Sequence, residues 1–235
     1  MRNTGLLYRS FYKKAKQKLW KVLGVKLHKE RNAFIVDLLN ELNEKLKINF
    51  GASKYHALDI GYGEGDLTER ISRTYNLEII GLDLGKRFSF ESRVTSLVAD
   101  ACSLPLKPES SHLVFAFSLI EHILEERRRR FYDEVMRVLT NDGFFVVQLP
   151  NRYFLVEQHT FIPFLGFFPS RLHRIFFHDY VSTPSKDKIV DELIKSEFRI
   201  VRTLGYGVPF SSFLRKSMLS KIFPFGFLIV ARKIR

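Results

Sequence analysis

The stretch His56-Ala57-Leu58-Asp59-Ile60-Gly61-Tyr62-Gly63-Glu64-Gly65-Asp66 turns from an apolar run into three glycines at alternate positions. Leu67, Arg70 and Ile71 follow at helical spacing, so the segment reads as a buried strand, a tight turn and a helix. Glycines at such a turn let the backbone approach a ligand where any side chain would clash. The pattern is G-x-G-x-G, and Asp66 stands where a dinucleotide fingerprint wants its third glycine. That departure favours a ligand without a pyrophosphate. Downstream, Leu77 to Leu84 reads as a second strand ending in Asp83, roughly 20 residues beyond Asp59, where such folds place a ribose-binding acid. The pair implies a nucleoside-bearing cofactor at the carboxyl ends of adjacent parallel strands.

Further segments extend the pattern. Val98-Ala99-Asp100-Ala101 precedes Leu104-Pro105; His112 to Phe117 reads as a strand continuing into Ser118-Leu119-Ile120-Glu121-His122. Val138-Leu139-Thr140-Asn141-Asp142-Gly143 leads into another strand, and Pro150-Asn151 precedes Glu157-Gln158-His159. With these residues the chain resembles the class I S-adenosylmethionine-dependent methyltransferases. It is most similar to the subgroup of ubiquinone and menaquinone biosynthesis. It departs from the family pattern at Tyr62 (usually small), His112 (usually aspartate) and Asn141-Asp142-Gly143 (usually Pro-Gly-Gly).

The resemblance implies S-adenosyl-L-methionine as cofactor and assigns roles. Gly61, Tyr62, Gly63 and Gly65 form the cofactor loop, and Asp59 lies near the methionine end. Asp83 and Leu84 meet the ribose, Asp100 and Ala101 the adenine, and Ser118 and Leu119 line the cofactor. Methyl transfer from a sulfonium is an in-line displacement, so the protein must align the acceptor, exclude water and in some cases remove a proton. His122, His159 and Glu157 are the candidate bases, with Glu121 beside them; histidine has a suitable intrinsic pKa. Glu157, His159, His173 and His178 fit no strong zinc spacing, so no metal is expected.

Strand and helix patterns alternate from Tyr55, which implies an α/β fold with a parallel sheet and right-handed crossovers. The resemblance implies a Rossmann-like, seven-stranded, mostly parallel sheet with the last strand antiparallel. Strands are expected at 56–60, 78–83, 95–98, 113–117, 144–149, 198–202 and 226–232, and helices at 66–74, 86–91, 124–139 and 185–196. Residues 1–50 read as N-terminal helices and 51–235 as the catalytic domain, with aromatic-rich insertions at 152–183 and 205–224. These should form a hydrophobic helical cap over the strand ends and the acceptor pocket. Arg127 to Arg130 reads as a solvated helix face.

The net charge is +13, and it is concentrated at the ends. Residues 1–32 hold ten Lys/Arg against Glu30 alone, and residues 198–235 hold eight with no acid. Basic ends imply an anionic partner surface. Residues 7–27 put Tyr8, Phe11, Tyr12 and Leu19 on one helical face and Lys13, Lys14, Lys18 and Lys21 on the other. That is the pattern of a helix lying in a membrane interface or serving as a lid. A second helix, Asn32 to Leu46, should pack on the sheet. One cysteine, Cys102, excludes a disulfide framework and reads as a small buried hydrophobe. No signal peptide is visible, and the apolar runs fall short of a bilayer span, which suggests the cytoplasm and the inner membrane face. The leading expectation is therefore methylation of a hydrophobic or lipid-linked small molecule at an anionic membrane. RNA or protein methylation through the basic termini, or a non-catalytic assembly role, are the alternatives; nucleic acid is disfavoured because no separate RNA-binding module is present.

Overall fold

The computed structural model describes residues 25–46, 56–85, 93–155, 164–168, 183–207 and 224–234. Within them the chain runs α1 (Val25–Leu46), β1 (His56–Ile60), α2 (Asp66–Tyr75), β2 (Glu78–Asp83), β3 (Val94–Val98), β4 (Ser111–Phe117), α3 (Glu125–Val138), β5 (Leu139–Pro150), α4 (Lys186–Lys195), β6 (Phe198–Tyr206) and β7 (Gly226–Lys233). The seven strands form one sheet in the order β3-β2-β1-β4-β5-β7-β6. β1 to β5 pair in parallel, and β7 lies antiparallel between β5 and β6. The chain moves outward from β1 to β3 and then returns to β4. The strand order therefore reverses between β1 and β4, which is where open α/β sheets hold ligands, beyond the carboxyl ends.

Side-chain alternation along the strands divides the core into two layers. Leu58, Ile60, Val114 and Phe145 pack with Phe131, Tyr132 and Val135 of α3 and with Ile189 and Leu193 of α4. On the opposite face Ala57, Ile79, Leu113, Phe115 and Val146 meet Ile35, Leu39 and Leu42 of α1 and Leu67 and Ile71 of α2. Burying each large side chain contributes about 1.5–3 kcal/mol, an upper figure because unfolded chains already bury part of their apolar surface. The helix expected over 32–46 thus does pack on the sheet, as its apolar stripe requires.

Two departures from the family pattern find local explanations. Tyr62 is buried against Gly81 of β2, where a Cβ would lie 2.9 Å from the Tyr62 ring, so a small residue in β2 makes room for a large one in the loop. Asp142 takes a left-handed turn, φ 65°, and binds Arg232 at 3.0 Å, while Gly143 sits where a Cβ would meet Thr140 O at 2.9 Å.

Several expected boundaries are corrected. The helix expected over 32–46 reaches back to Val25 among the described residues. β5 starts at Leu139 rather than 144, and β6 continues to Tyr206 rather than ending at 202. Among the described residues of the first insertion there is a turn and one 3-10 turn, Leu165–Phe167. The Arg127–Arg130 run is only partly a solvated face. Arg128 is buried and binds Glu192 of α4 at 3.1 Å, while Tyr132 Oη donates to the other Glu192 oxygen at 2.9 Å. The expected helix at 86–91 and residues 1–24 lie outside the described residues.

Candidate functional site

The loop after β1 is built for close approach. Gly61, Gly63 and Gly65 have φ of 77°, 58° and 83°, a region that side chains other than glycine rarely adopt. At Gly61 a Cβ would also lie 2.7 Å from Leu119 Cδ1, so the loop touches the end of β4. At Gly63 a Cβ would meet nothing within 4 Å, which leaves open space above an exposed backbone. The loop is pinned by Gly61 N–H donating to Leu82 O at 2.6 Å and Gly65 N–H donating to Tyr62 O at 2.9 Å.

Two carboxyl groups flank this loop in different environments. Asp83, at the end of β2 and partly exposed, accepts from Gly63 N–H at 3.0 Å and Gly85 N–H at 2.9 Å. Each oxygen keeps lone-pair capacity for a hydroxyl donor. Asp59 is buried. Thr68 Oγ1 donates to its Oδ2 at 2.6 Å, while Oδ1 has no hydrogen-bond partner. Burial, with the nearby Asp83 charge adding to it, pushes the Asp59 carboxyl up to about 7, against the lowering effect of the Thr68 bond. An orphaned buried oxygen is costly unless a ligand donor satisfies it.

At the end of β3, where the resemblance places the adenine, the acid is held by the protein's own donors. Asp100 accepts from Cys102 N–H at 2.9 Å and from Arg127 Nη2 at 2.6 Å. These bonds hold its carboxyl below the usual range. Ala101 is partly buried beside it, and Leu84 is largely exposed beyond β2. Cys102 is buried with its thiol pushed up by desolvation, as a small packing residue should be.

At the end of β4, Ser118 is a non-glycine residue with φ 51°, the kind of strained position that clusters at functional sites. Its hydroxyl donates to Gln148 Oε1 at 2.9 Å and accepts from Arg31 Nη1 of α1 at 3.2 Å. Gln148 Nε2 donates to Tyr206 Oη at 2.6 Å. Burial raises the Tyr206 phenol to about 12. The next turn, Ile120–His122, turns Glu121 inward and leaves His122 exposed. Neither Glu121 carboxyl oxygen has a hydrogen-bond partner. Glu157 and His159 lie outside the described residues, as do His173 and His178.

The structure therefore brings Asp59, the glycine loop, Asp83 and Leu119 together at the carboxyl end of the sheet. Sequence reasoning missed Arg31, Gln148 and Tyr206. Gln148 carried a readable signal, a polar residue inside the apolar run Phe144 to Leu149. Arg31 and Tyr206 carried none, since only the fold brings α1 and β6 to the end of β4.

The set fits the group that the resemblance implies. The open space over Gly63 accepts an approaching ligand, the Asp83 carboxylate suits a diol, and the orphaned Asp59 oxygen suits an ammonium donor.

Residues 58–147 match the family described as a methyltransferase domain. An uncharacterized protein of Methanocaldococcus jannaschii is 28% identical over 130 residues, which span 54% of this chain and 55% of that protein. The match covers about half the length of that curated relative. Among solved structures, an S-adenosylmethionine-dependent methyltransferase of Methanosarcina mazei aligns with a TM-score of 0.57 at 16% identity. It covers 80% of this chain and 97% of its own. The 1,6-didemethyltoxoflavin-N1-methyltransferase of Burkholderia thailandensis, with its namesake compound and S-adenosylhomocysteine bound, aligns with a TM-score of 0.56 at 13% identity over 92% of this chain and 88% of that one. At these identities the likeness establishes the fold.

Proposed function

We propose that this chain, whose domain is that of a class I S-adenosylmethionine-dependent methyltransferase, methylates a hydrophobic or lipid-linked small molecule. The observation that carries the reading is the glycine loop held between a solvated acid, Asp83, and a buried acid with an orphaned oxygen, Asp59. When bound, S-adenosylmethionine supplies an electrophilic methyl group on a sulfonium. The residues then have separable tasks: Asp83 accepts from ribose hydroxyls, Asp59 from the amino group, and the loop backbone admits the cofactor closely. Leu119, wedged against Gly61, helps fix the loop relative to the end of β4.

The acceptor class rests on the surface that follows β5. Tyr153, Leu155, Phe164, Phe167 and Phe168 are each about half exposed. Tyr153 and Phe167 have ring centroids 5.6 Å apart, and Phe164 and Phe167 6.4 Å. Arg152 braces the segment through Nε to Gly166 O at 3.1 Å and lies over the Tyr153 ring. Exposed aromatic clusters of this kind mark sites for apolar ligands or surfaces. The excess of basic residues in 1–32 supports delivery at an anionic membrane. Among the described residues no helix is long and apolar enough to cross a membrane.

The test is to incubate the protein with methyl-labelled S-adenosylmethionine and either a microbial lipid extract or total RNA. Label entering the organic phase supports the reading. Label entering RNA alone overturns the acceptor class.

A further inference from the structure

We propose that Glu121 is the proton acceptor of the transfer and that Arg31, Ser118, Gln148 and Tyr206 form the polar floor holding the acceptor's protic group beside it. The inference rests on the methyltransferase reading above and adds a constraint on the substrate: a mainly apolar molecule whose nucleophile is a neutral hydroxyl or amine bearing a proton.

Glu121 sits in the one-turn helix directly after β4, two residues beyond Leu119, whose side chain abuts the glycine loop. It is 5% exposed, and both carboxyl oxygens are buried without a hydrogen-bond partner. A buried carboxyl whose oxygens are all unsatisfied is rare, because each costs the desolvation of a polar atom. An incoming O–H or N–H donor satisfies it.

Ser118, Gln148 and Tyr206 form one hydrogen-bonded chain across β4, β5 and β6, and Arg31 of α1 closes it at Ser118. This chain crosses the carboxyl ends of the strands, where a ligand is expected, and its first member is held in a strained conformation. Among the described residues the charged or titratable groups acting on Glu121 are Arg31 from α1, Arg128 from α3 and Tyr206 from β6. Burial raises the Glu121 carboxyl to about 7, with its own backbone N–H and then the two arginines opposing that rise. Ionised and neutral forms are therefore both accessible near neutral pH, as a proton acceptor requires.

The chemistry balances. The acceptor atom X uses a lone pair to bond the methyl carbon, the carbon–sulfur bond breaks with its pair returning to sulfur, and the X–H proton passes to a Glu121 oxygen. A sulfonium and a carboxylate become a thioether and a carboxylic acid. Two opposite charges vanish together, a change that a dry site favours more than water does.

Three measurements on the full chain test the proposal. Infrared titration of the protein with S-adenosylhomocysteine should show a carboxyl C=O band with a midpoint near pH 7 that is absent in Glu121→Gln and retained in Asp59→Asn. Calorimetry should give Glu121→Gln an affinity for S-adenosylhomocysteine within about twofold of the parent. Label transfer into a lipid extract should fall by roughly 10²–10⁴-fold in Glu121→Gln, the usual range for losing a general base. In the parent it should rise with pH to a plateau above about 7. Tyr206→Phe should raise KM while largely sparing kcat, as loss of a positioning group does. Glu121→Gln activity within a few-fold of the parent, or no titrating band assigned to Glu121, overturns the proposal. A parent protein that fails to bind S-adenosylhomocysteine overturns the underlying reading instead.

Discussion

Asp59 and Asp83 are both aspartates at the ends of neighbouring strands, yet their surroundings give them different chemistry. Asp83 is partly exposed and accepts from two loop amides, whereas Asp59 is buried with one unsatisfied oxygen. Asp83→Ala should weaken S-adenosylmethionine binding by about 1.5–3 kcal/mol, the worth of a hydrogen bond to a charged group, measured by calorimetry. Unchanged affinity would remove Asp83 from the site. Asp59 has the opposite signature in stability. Its folded pKa of about 7 lies above its ordinary value of 3.8, so its contribution is fully present below about pH 4 and is lost as pH rises through 7. Asp59→Asn should therefore stabilise the ligand-free protein at pH 8, by up to about 4 kcal/mol, and make little difference at pH 4. Denaturant titrations at the two pH values check this. A variant less stable than the parent at pH 8 would mean that ionised Asp59 is held by donors that the geometry does not show.

At the scale of elements, the glycine loop and α1 make separate claims. Gly63→Val places a branched side chain in the open space above the loop at φ 58°, so binding should be lost. Circular dichroism should show that the sheet survives, and retained binding would overturn the loop assignment. α1 is anchored to the domain by Ile35, Leu39 and Leu42 and reaches the end of β4 through Arg31. Deletion of residues 1–24 leaves that anchor intact while removing seven Lys/Arg. Each basic residue near an anionic surface is worth about 1 kcal/mol. The truncated protein should therefore leave anionic liposomes in a flotation assay, with its affinity for S-adenosylmethionine unchanged. Flotation of the truncated protein would move the membrane contact elsewhere.

The strands were legible in the sequence because their apolar period and their glycine and carboxylate endings are local signals. The start of α1 and the length of β6 were not. Helix boundaries shift by a residue or two with little trace in sequence, and β6 is extended by pairing with β7, which is a tertiary effect. Within the site, Asp59, Gly61 and Asp83 declared themselves by spacing. Glu121 and His122 are adjacent and both were candidates, but which one turns inward depends on the 3-10 turn after β4, which no periodicity encodes.

Across the whole molecule, the sheet order places the reversal point between β1 and β4, with the glycine loop on one side and the Arg31–Ser118–Gln148–Tyr206 chain on the other. The groups proposed for cofactor and acceptor thus meet at the carboxyl end of a sheet whose two faces are packed with helices. The central claim is that this end binds a nucleoside sulfonium without a pyrophosphate. Isothermal calorimetry of the full chain with S-adenosylmethionine, S-adenosylhomocysteine and NAD tests it most directly. The account predicts saturable one-to-one binding of the first two, weakened in Asp83→Ala, and no heat of binding with NAD. Binding of NAD in preference to S-adenosylmethionine, or of neither, would contradict it.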